Sequence, residues 1–348
     1  MYLYGNQYTQ NLYQQFVFSF MLPKPSKKKL LLIVVSLIAI AIFFYAAIKT
    51  THGNEKKILF PKDEGRHDAP IESWQISMHF KDLNGRNYSS WAQYIRNEDR
   101  KLRRISLTDG KKYYSENMAR NFYCSKGTLN LTCDNDFSIS DKFYRSKGFS
   151  YKIYIAFESK GKKIILSGNL FANKKPVIFA EGGAPSFLNL STISSIFFYS
   201  IPNLNFSGNI TIDNETKKIN GRAWIEHIWG EFFIPPWIKW NIQLNNSYEI
   251  LIIRLPLKKW INICYLIFPD GHVENITGVE IKDAKRWKTI GKTYVTKWLI
   301  RSKNFSLFVN ATLQDQVMIG TLSYIGSCTV SGEFFSKKVM GMCYVEEI

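Results

Sequence analysis

Residues Leu30 to Ile48 read LLLIVVSLIAIAIFFYAAI, a run of 19 residues without a charge, in which Ser36 is the only strongly polar member. About 20 apolar residues are needed to cross the hydrocarbon core of a bilayer, so the sequence predicts one transmembrane segment over 30–48. Lys24, Lys27, Lys28 and Lys29 precede it, and no acidic residue occurs before Glu55. That excess of positive charge puts residues 1–29 in the cytoplasm as a tail. Lys49, Lys56 and Lys57 on the other flank weaken the bias without reversing it. A cleaved signal peptide would have an apolar region of roughly 7–15 residues and small residues at its cut. Tyr45-Ala46-Ala47 is a poor site of that kind, so the expectation is an uncleaved signal-anchor. Met21 is an alternative start that leaves a very short tail. The remainder is expected in an extracytoplasmic space: lumenal, extracellular or periplasmic.

The formal charge is +18. A strongly basic chain raises nucleic acid as a partner, but the cations are scattered among Ile, Asn, Tyr and Phe. There is no Arg-rich helix or RNA-binding signature, so the charge reads as a solvated surface. Asn-x-Ser/Thr occurs at Asn87, Asn130, Asn189, Asn205, Asn209, Asn214, Asn245, Asn275, Asn304 and Asn310, all after the apolar run. In a host that glycosylates, these sites would carry sugars and lie on the surface.

The five cysteines also follow the run. Cys124 and Cys133 bracket the polar loop SKGTLNLT, and Cys328 and Cys343 sit in two β-like runs joined by a turn. Cys124–Cys133 and Cys328–Cys343 are the expected disulfides, with Cys264 free. No CxxC or His-rich spacing appears, so neither a metal site nor a cofactor is expected.

Residues 49–65 are polar and read as a linker. Beyond them short alternating runs recur between Asn, Gly, Asp and Lys turns, among them YKIYIAFES, GNITI, GRAWIEHIW, YEILIIRL and KVMGMCYVEE. Strands at that spacing predict all-β sandwiches or barrels. NETKK and NNS read as hairpin turns. Pro235-Pro236 separates two β domains, 66–234 and 235–348. No strand–helix alternation, nucleophile elbow, P-loop or dinucleotide fingerprint occurs.

Four stretches in order resemble the carotenoid 1,2-hydratase family and its wider AttH-like group. LFPKDEGRHDAPIESWQISMHF, 59–80, resembles the family's FPxDxxxH leading to Glu-Trp-Trp, here Glu72-Ser73-Trp74. FFYSIPNLNFSGNI resembles its Tyr-Ser-x-Pro. GRAWIEHIWG, 221–230, resembles Gly-x-x-Trp-x-Asp-His-x-Trp, with Glu226 in place of Asp. SYIGSCTVSG and VMGMCYVEE resemble its closing hairpin, with Tyr324-Ile325-Gly326 in place of Trp-Glu-Gly. The resemblance implies two tandem lipocalin-like β-barrels after the transmembrane helix. It also implies a hydrophobic substrate, often isoprenoid or lipid-like.

In a strand, side chains alternate between faces. Trp224, Glu226 and Ile228 therefore share one face of GRAWIEHIWG, and Ile225, His227 and Trp229 the other. Glu226 and His227 cannot enter one cavity without a bulge. An inward Glu226, protonated by desolvation, would be a general acid for a carbon–carbon double bond, with Trp224 stabilising the carbocation. The competing reading has the acid–His pair locking a seam between two barrels. Glu72 and Trp74 also share a face, and Tyr199 offers a hydroxyl. His67, in a charged loop, reads as a turn or cap residue, and His79 carries no separate signal.

The candidate catalytic residues are thus Glu226, His227 and Glu72, and the candidate ligand contacts are Trp74, Tyr199, Trp224 and Trp229. The leading expectation is a membrane-anchored lipocalin-like protein that binds a lipid or isoprenoid. The alternatives are an acid-catalysed hydratase, cyclase or isomerase of a polyene or terpenoid, and a non-catalytic adhesion ectodomain.

Overall fold

The computed structural model describes residues 57–134, 140–181, 195–231, 236–256, 259–289 and 291–348. The segment 30–48, Asn189 and Pro235 lie outside the described residues, and among those residues no helix is long and apolar enough to cross a membrane.

Everything regular among the described residues is β. Along the chain the strands are β1 Ile71–Asp82, β2 Asn87–Asn97, β3 Lys101–Thr108, β4 Tyr113–Ala119, β5 Phe122–Cys124, β6 Asn130–Cys133, β7 Asp141–Arg145, β8 Ser150–Ser159, β9 Lys162–Ala172, β10 Val177–Glu181, β11 Ser195–Ile212 and β12 Glu215–Glu231. There follow β13 Ile238–Leu244, β14 Glu249–Pro256, β15 Trp260–Ile267, β16 Val273–Asn275, β17 Glu280–Lys288, β18 Thr293–Arg301, β19 Phe305–Ala311, β20 Tyr324–Phe334 and β21 Lys337–Glu347. The first twelve make one sheet, in the order β4-β3-β2-β1-β12-β11-β9-β8-β7-β6-β5 with β10 added on β11. The remaining nine make a second, in the order β16-β15-β14-β13-β21-β20-β19-β18-β17. Both curl, consistent with tandem lipocalin-like domains.

Ions on its concave face hold the first sheet curled. The buried Arg103 on β3 donates from Nε to Asp141 Oδ2 on β7 (2.6 Å) and from Nη2 to the Ala156 carbonyl on β8 (2.6 Å). Tyr94 on β2 donates its hydroxyl to the same carboxylate oxygen at 3.0 Å. A buried charge is tolerated only when paired and hydrogen-bonded, so this network fixes which strands face each other. The second sheet closes over an apolar core in which Trp240 and Trp298 meet edge to face.

Where the two sheets meet, the buried polar residues are paired across the seam. Lys239 on β13 bonds Glu226 on β12 and lies 3.0 Å from Glu346 on β21. Gln75 on β1 donates to both carboxylates, at 3.0 Å to Glu226. Trp224 is buried beside them among Leu251, Ile267 and Phe198.

The thiols depart from the expected pairing, since all five cysteines are free and buried. Cys124 stands opposite Leu131 and Cys133 opposite Phe122. The two are thus diagonal neighbours, roughly 7–8 Å apart at Cα, beyond the usual reach of a disulfide. Cys328 and Cys343 are directly opposite, but their Sγ atoms turn to the carbonyls of Gly326 (3.9 Å) and Tyr344 (3.3 Å). Of the sequons, Asn87, Asn130, Asn205, Asn209, Asn214, Asn245 and Asn275 are exposed, and Asn304 and Asn310 half-buried.

Candidate active site

Strand pairing assembles the site from residues far apart in sequence. In the antiparallel register Trp74 stands opposite His227 and Glu72 opposite Trp229. On the other side of β12, Tyr199 stands opposite His227 and Phe197 opposite Trp229. Arg96 on β2 stands opposite Glu72. Two adjacent rows therefore share the concave face: Trp74, His227 and Tyr199, then Arg96, Glu72, Trp229 and Phe197. The period of two sends Gln75, Glu226 and Ser200, which are also opposite one another, to the convex face and the seam. His227 and Glu226 thus point into different environments. Glu226 is not among the residues that line the cavity described below.

The remaining member comes from the segment before β1. Its polar composition reads as a linker, yet Glu64 and Gly65 are fully packed. Glu64 accepts hydrogen bonds from Arg145 (2.5 Å) and Tyr151 (2.8 Å), and its carbonyl accepts the Trp74 indole N–H at 3.0 Å. Gly65 donates to the Gly127 carbonyl at 2.6 Å, and a β-carbon there would sit 2.3 Å from the Ser125 carbonyl oxygen. Only glycine admits so close an approach of two backbones. Pinned in this way, the loop carries His67 over β1 and β12, where its ring stacks on Trp229 at 3.9 Å and 4°.

Glu72 is the hub. Its Oε1 accepts from the His67 backbone N–H (2.9 Å), His67 Nδ1 (2.9 Å) and His227 Nε2 (3.0 Å). Its Oε2 accepts from Arg96 Nε at 2.8 Å. Burial alone would raise this carboxyl, but the hydrogen bonds from His227 and His67 and the Arg96 guanidinium outweigh it and hold it down at about 2. Glu72 is therefore a carboxylate, which only accepts, so each histidine nitrogen facing it carries a proton. Burial lowers His227, working against the raising effect of Glu72. Its ring is clamped between Trp74 (stacked, 4.9 Å) and the edge of Tyr199.

The three side chains differ in access. His67 is 13% exposed, whereas Glu72 and His227 are 0%. His67 lines a cavity of about 800 Å³ together with Asp63, Leu59, Phe197 and Trp229. With Nδ1 committed to Glu72, its Nε2 is left with Asp63 Oδ1 at 3.4 Å. The result is a carboxylate that orients an imidazole whose far nitrogen can exchange a proton with a bound molecule. The donor atoms of His67, Glu72 and His227 also lie within 4.8 Å of one another, as metal ligands do. The Arg96 guanidinium, however, already supplies the positive charge at that carboxylate.

A model of the AttH-like family matches residues 51–346. The chain belongs to the AttH-like family. Among solved structures it is similar to an AttH protein from Nitrosomonas europaea, at 17% identity over 83% of this chain and 96% of that one, with a TM-score of 0.70. It is also similar to kievitone hydratase from Nectria haematococca, at 16% identity over 85% of this chain and 94% of that one, with a TM-score of 0.66. At these identities the likeness establishes a shared fold. No curated protein matches the sequence at a significant level.

Within this AttH-like fold the residues singled out from sequence separate. Trp229 lines the cavity, and Glu72, His227, Trp74 and Tyr199 form the buried layer behind it. Glu226 and Trp224 belong to the seam. His67, Asp63 and Arg96 escape the sequence reading. The spacing that signals the first two is FPxDxxxH itself, whose Phe60 packs on Tyr199 at 4.8 Å and whose Asp63 and His67 meet. Arg96 has no signal short of the β1–β2 register.

Proposed function

We propose that this AttH-like chain is a hydratase-type enzyme that adds water to, or removes it from, an apolar substrate. The observation that carries the reading is a cavity of ligand size that presents the rings of Phe197 and Trp229 and one histidine with an ionised glutamate behind it. A simple carrier needs the apolar wall but not the histidine and acid. An adhesion module needs neither.

In the hydration direction, protonated His67 donates from Nε2 to one carbon of a branched alkene, leaving a carbocation on the other. Water attacks that carbon, and its surplus proton returns to His67. One C–H and one C–O bond form, the π bond is consumed, and the enzyme ends as it began. Glu72 holds the Nδ1 proton throughout and balances the imidazolium, with Arg96 and His227 fixing its orientation. Trp229, stacked on His67, fixes the plane of the imidazole. Glu72 is a positioning residue here, and Glu226 holds the domains together. The hydratase named among the structural neighbours makes this reaction class a natural first choice.

The test is to incubate the full-length protein with a panel of prenylated phenols, polyenes and terpenoids in H₂¹⁸O. The reading requires at least one product heavier by one labelled water. Recovery of every compound unchanged, together with stoichiometric retention of one of them, would leave the carrier function instead. We further propose that residues 30–48 anchor the protein, with everything after Lys49 extracytoplasmic.

A further inference from the structure

We propose that the natural ligand is an anionic amphiphile, with an apolar body against Phe197 and Trp229 and one terminal acidic group held at the cavity mouth by Lys57 and Lys62. This rests on the cavity being the substrate site, as argued above, and adds the chemical class of the substrate.

The cavity's lining includes the cations Lys57, Lys62, Arg66 and Lys126 and the acids Asp63, Asp68 and Glu231. Asp68 is shared by two of the cations, at 2.5 Å from Lys126 and 3.6 Å from Arg66, which leaves that exposed trio with one positive charge in excess. Asp63 is occupied from within the loop: its Oδ2 accepts the Leu59 N–H at 2.8 Å and its Oδ1 faces His67. Glu231, exposed in the same lining, has a partner of its own. Lys57 and Lys62, both exposed, form no ion pair among the described residues. The cations left over are therefore at the rim.

The inner wall has the opposite character. The buried Trp229 and half-buried Phe197 give the cavity its least exposed apolar surface, and the carboxylate facing the reacting nitrogen is Asp63. An anionic end turned toward His67 would meet Asp63, whereas one held by Lys57 and Lys62 meets two ammonium groups. The field thus orients an amphiphile tail-first, which sets the distance between its acidic end and the carbon that reaches His67. A neutral polyene would gain nothing from the rim.

Isothermal titration of the purified full-length protein with decanoate, decyl phosphate and decanol tests this at low salt. Two exposed charge pairs are worth ~0.2–1 kcal/mol each, so decanoate should bind about twofold to thirtyfold tighter than decanol. A like preference for decyl phosphate means that the rim reads charge, and a preference for decanoate alone means that it reads the carboxylate. Either supports the proposal. The double variant Lys57→Glu/Lys62→Glu should erase the preference while leaving decanol binding unchanged. Equal binding of acid and alcohol, a preference that survives charge reversal, or no binding of either acid would overturn it. The hydratase reading fails separately, through absence of ¹⁸O incorporation, whatever the rim prefers.

Discussion

Nε2 of His227 lies 3.0 Å from Oε1 of Glu72, across 155 residues of chain. Neither residue touches the cavity, yet together with Arg96 they decide how His67 presents Nε2 beside Asp63. The site is thus a stack of layers: a carboxylate buried among donors, a ring held by that carboxylate, and a cavity in front of the ring.

Acid should dismantle the innermost layer first. Glu72 is held at about 2 against an ordinary value of 4.5, because four donors favour its charged form. A depressed carboxyl contributes stability that is complete above the unfolded value and is lost as pH falls toward the folded one. The wild type should lose about 3 kcal/mol between pH 4.5 and 2 from this residue. Urea unfolding across that range reads the loss, and Glu72→Gln should show a flatter profile. Parallel slopes for the two proteins would mean that the carboxylate is not held as described.

Lys239 is expected to matter for stability and not for chemistry. It stands between Glu226 and Glu346 in the seam, and removing one partner of a buried ion pair costs about 3–5 kcal/mol. Lys239→Met should lower the denaturation midpoint accordingly, and adding Glu226→Gln should restore part of the loss by removing the repulsion. Turnover per folded molecule should stay at the wild-type level in both. A selective loss of turnover in Glu226→Gln would return the acid role to that residue.

Gly65→Ala should damage both properties. The new methyl would meet the Ser125 carbonyl oxygen at 2.3 Å, and overpacking of this kind costs roughly 1–3 kcal/mol. The loop must shift to relieve it, and a ~1 Å misplacement of a catalytic group can cost about 10²-fold in rate. Thermal melting and turnover measured on one preparation check this, and an unaltered rate would show that the loop does not position His67.

For the proposed anchor, the full-length protein should stay with membranes through alkaline carbonate washing. Protease added at the extracytoplasmic face should digest the region beyond residue 50. Recovery from the soluble cytosolic fraction would contradict the anchor.

Much of this fold is legible in the sequence, because strands announce themselves by alternation. The hairpin of β11 and β12 lies where NITID and INGRAWIEHIW predict it. The same alternation requires Glu226 and His227 to part. Which of them faces inward is illegible, since that depends on what each face of β12 packs against, and Lys239 and Glu346 are brought to Glu226 only by the second sheet. His67 was hidden for a similar reason. Its loop is polar in composition, and its fixity comes from Gly127, Ser125 and Arg145, which no local pattern links to it. The cysteines show the converse error. Proximity in sequence suggested a bridge between Cys124 and Cys133, whereas the strand register sets them diagonally apart.

The central claim is that His67 transfers the proton. Its most direct test is the rate of ¹⁸O incorporation by His67→Gln relative to wild type, on whichever panel compound the wild type hydrates. General acid–base catalysis is typically worth about 10²–10⁴-fold, so the variant should fall by that factor while remaining folded and still binding decanol. A variant that incorporates label at the wild-type rate would contradict the account.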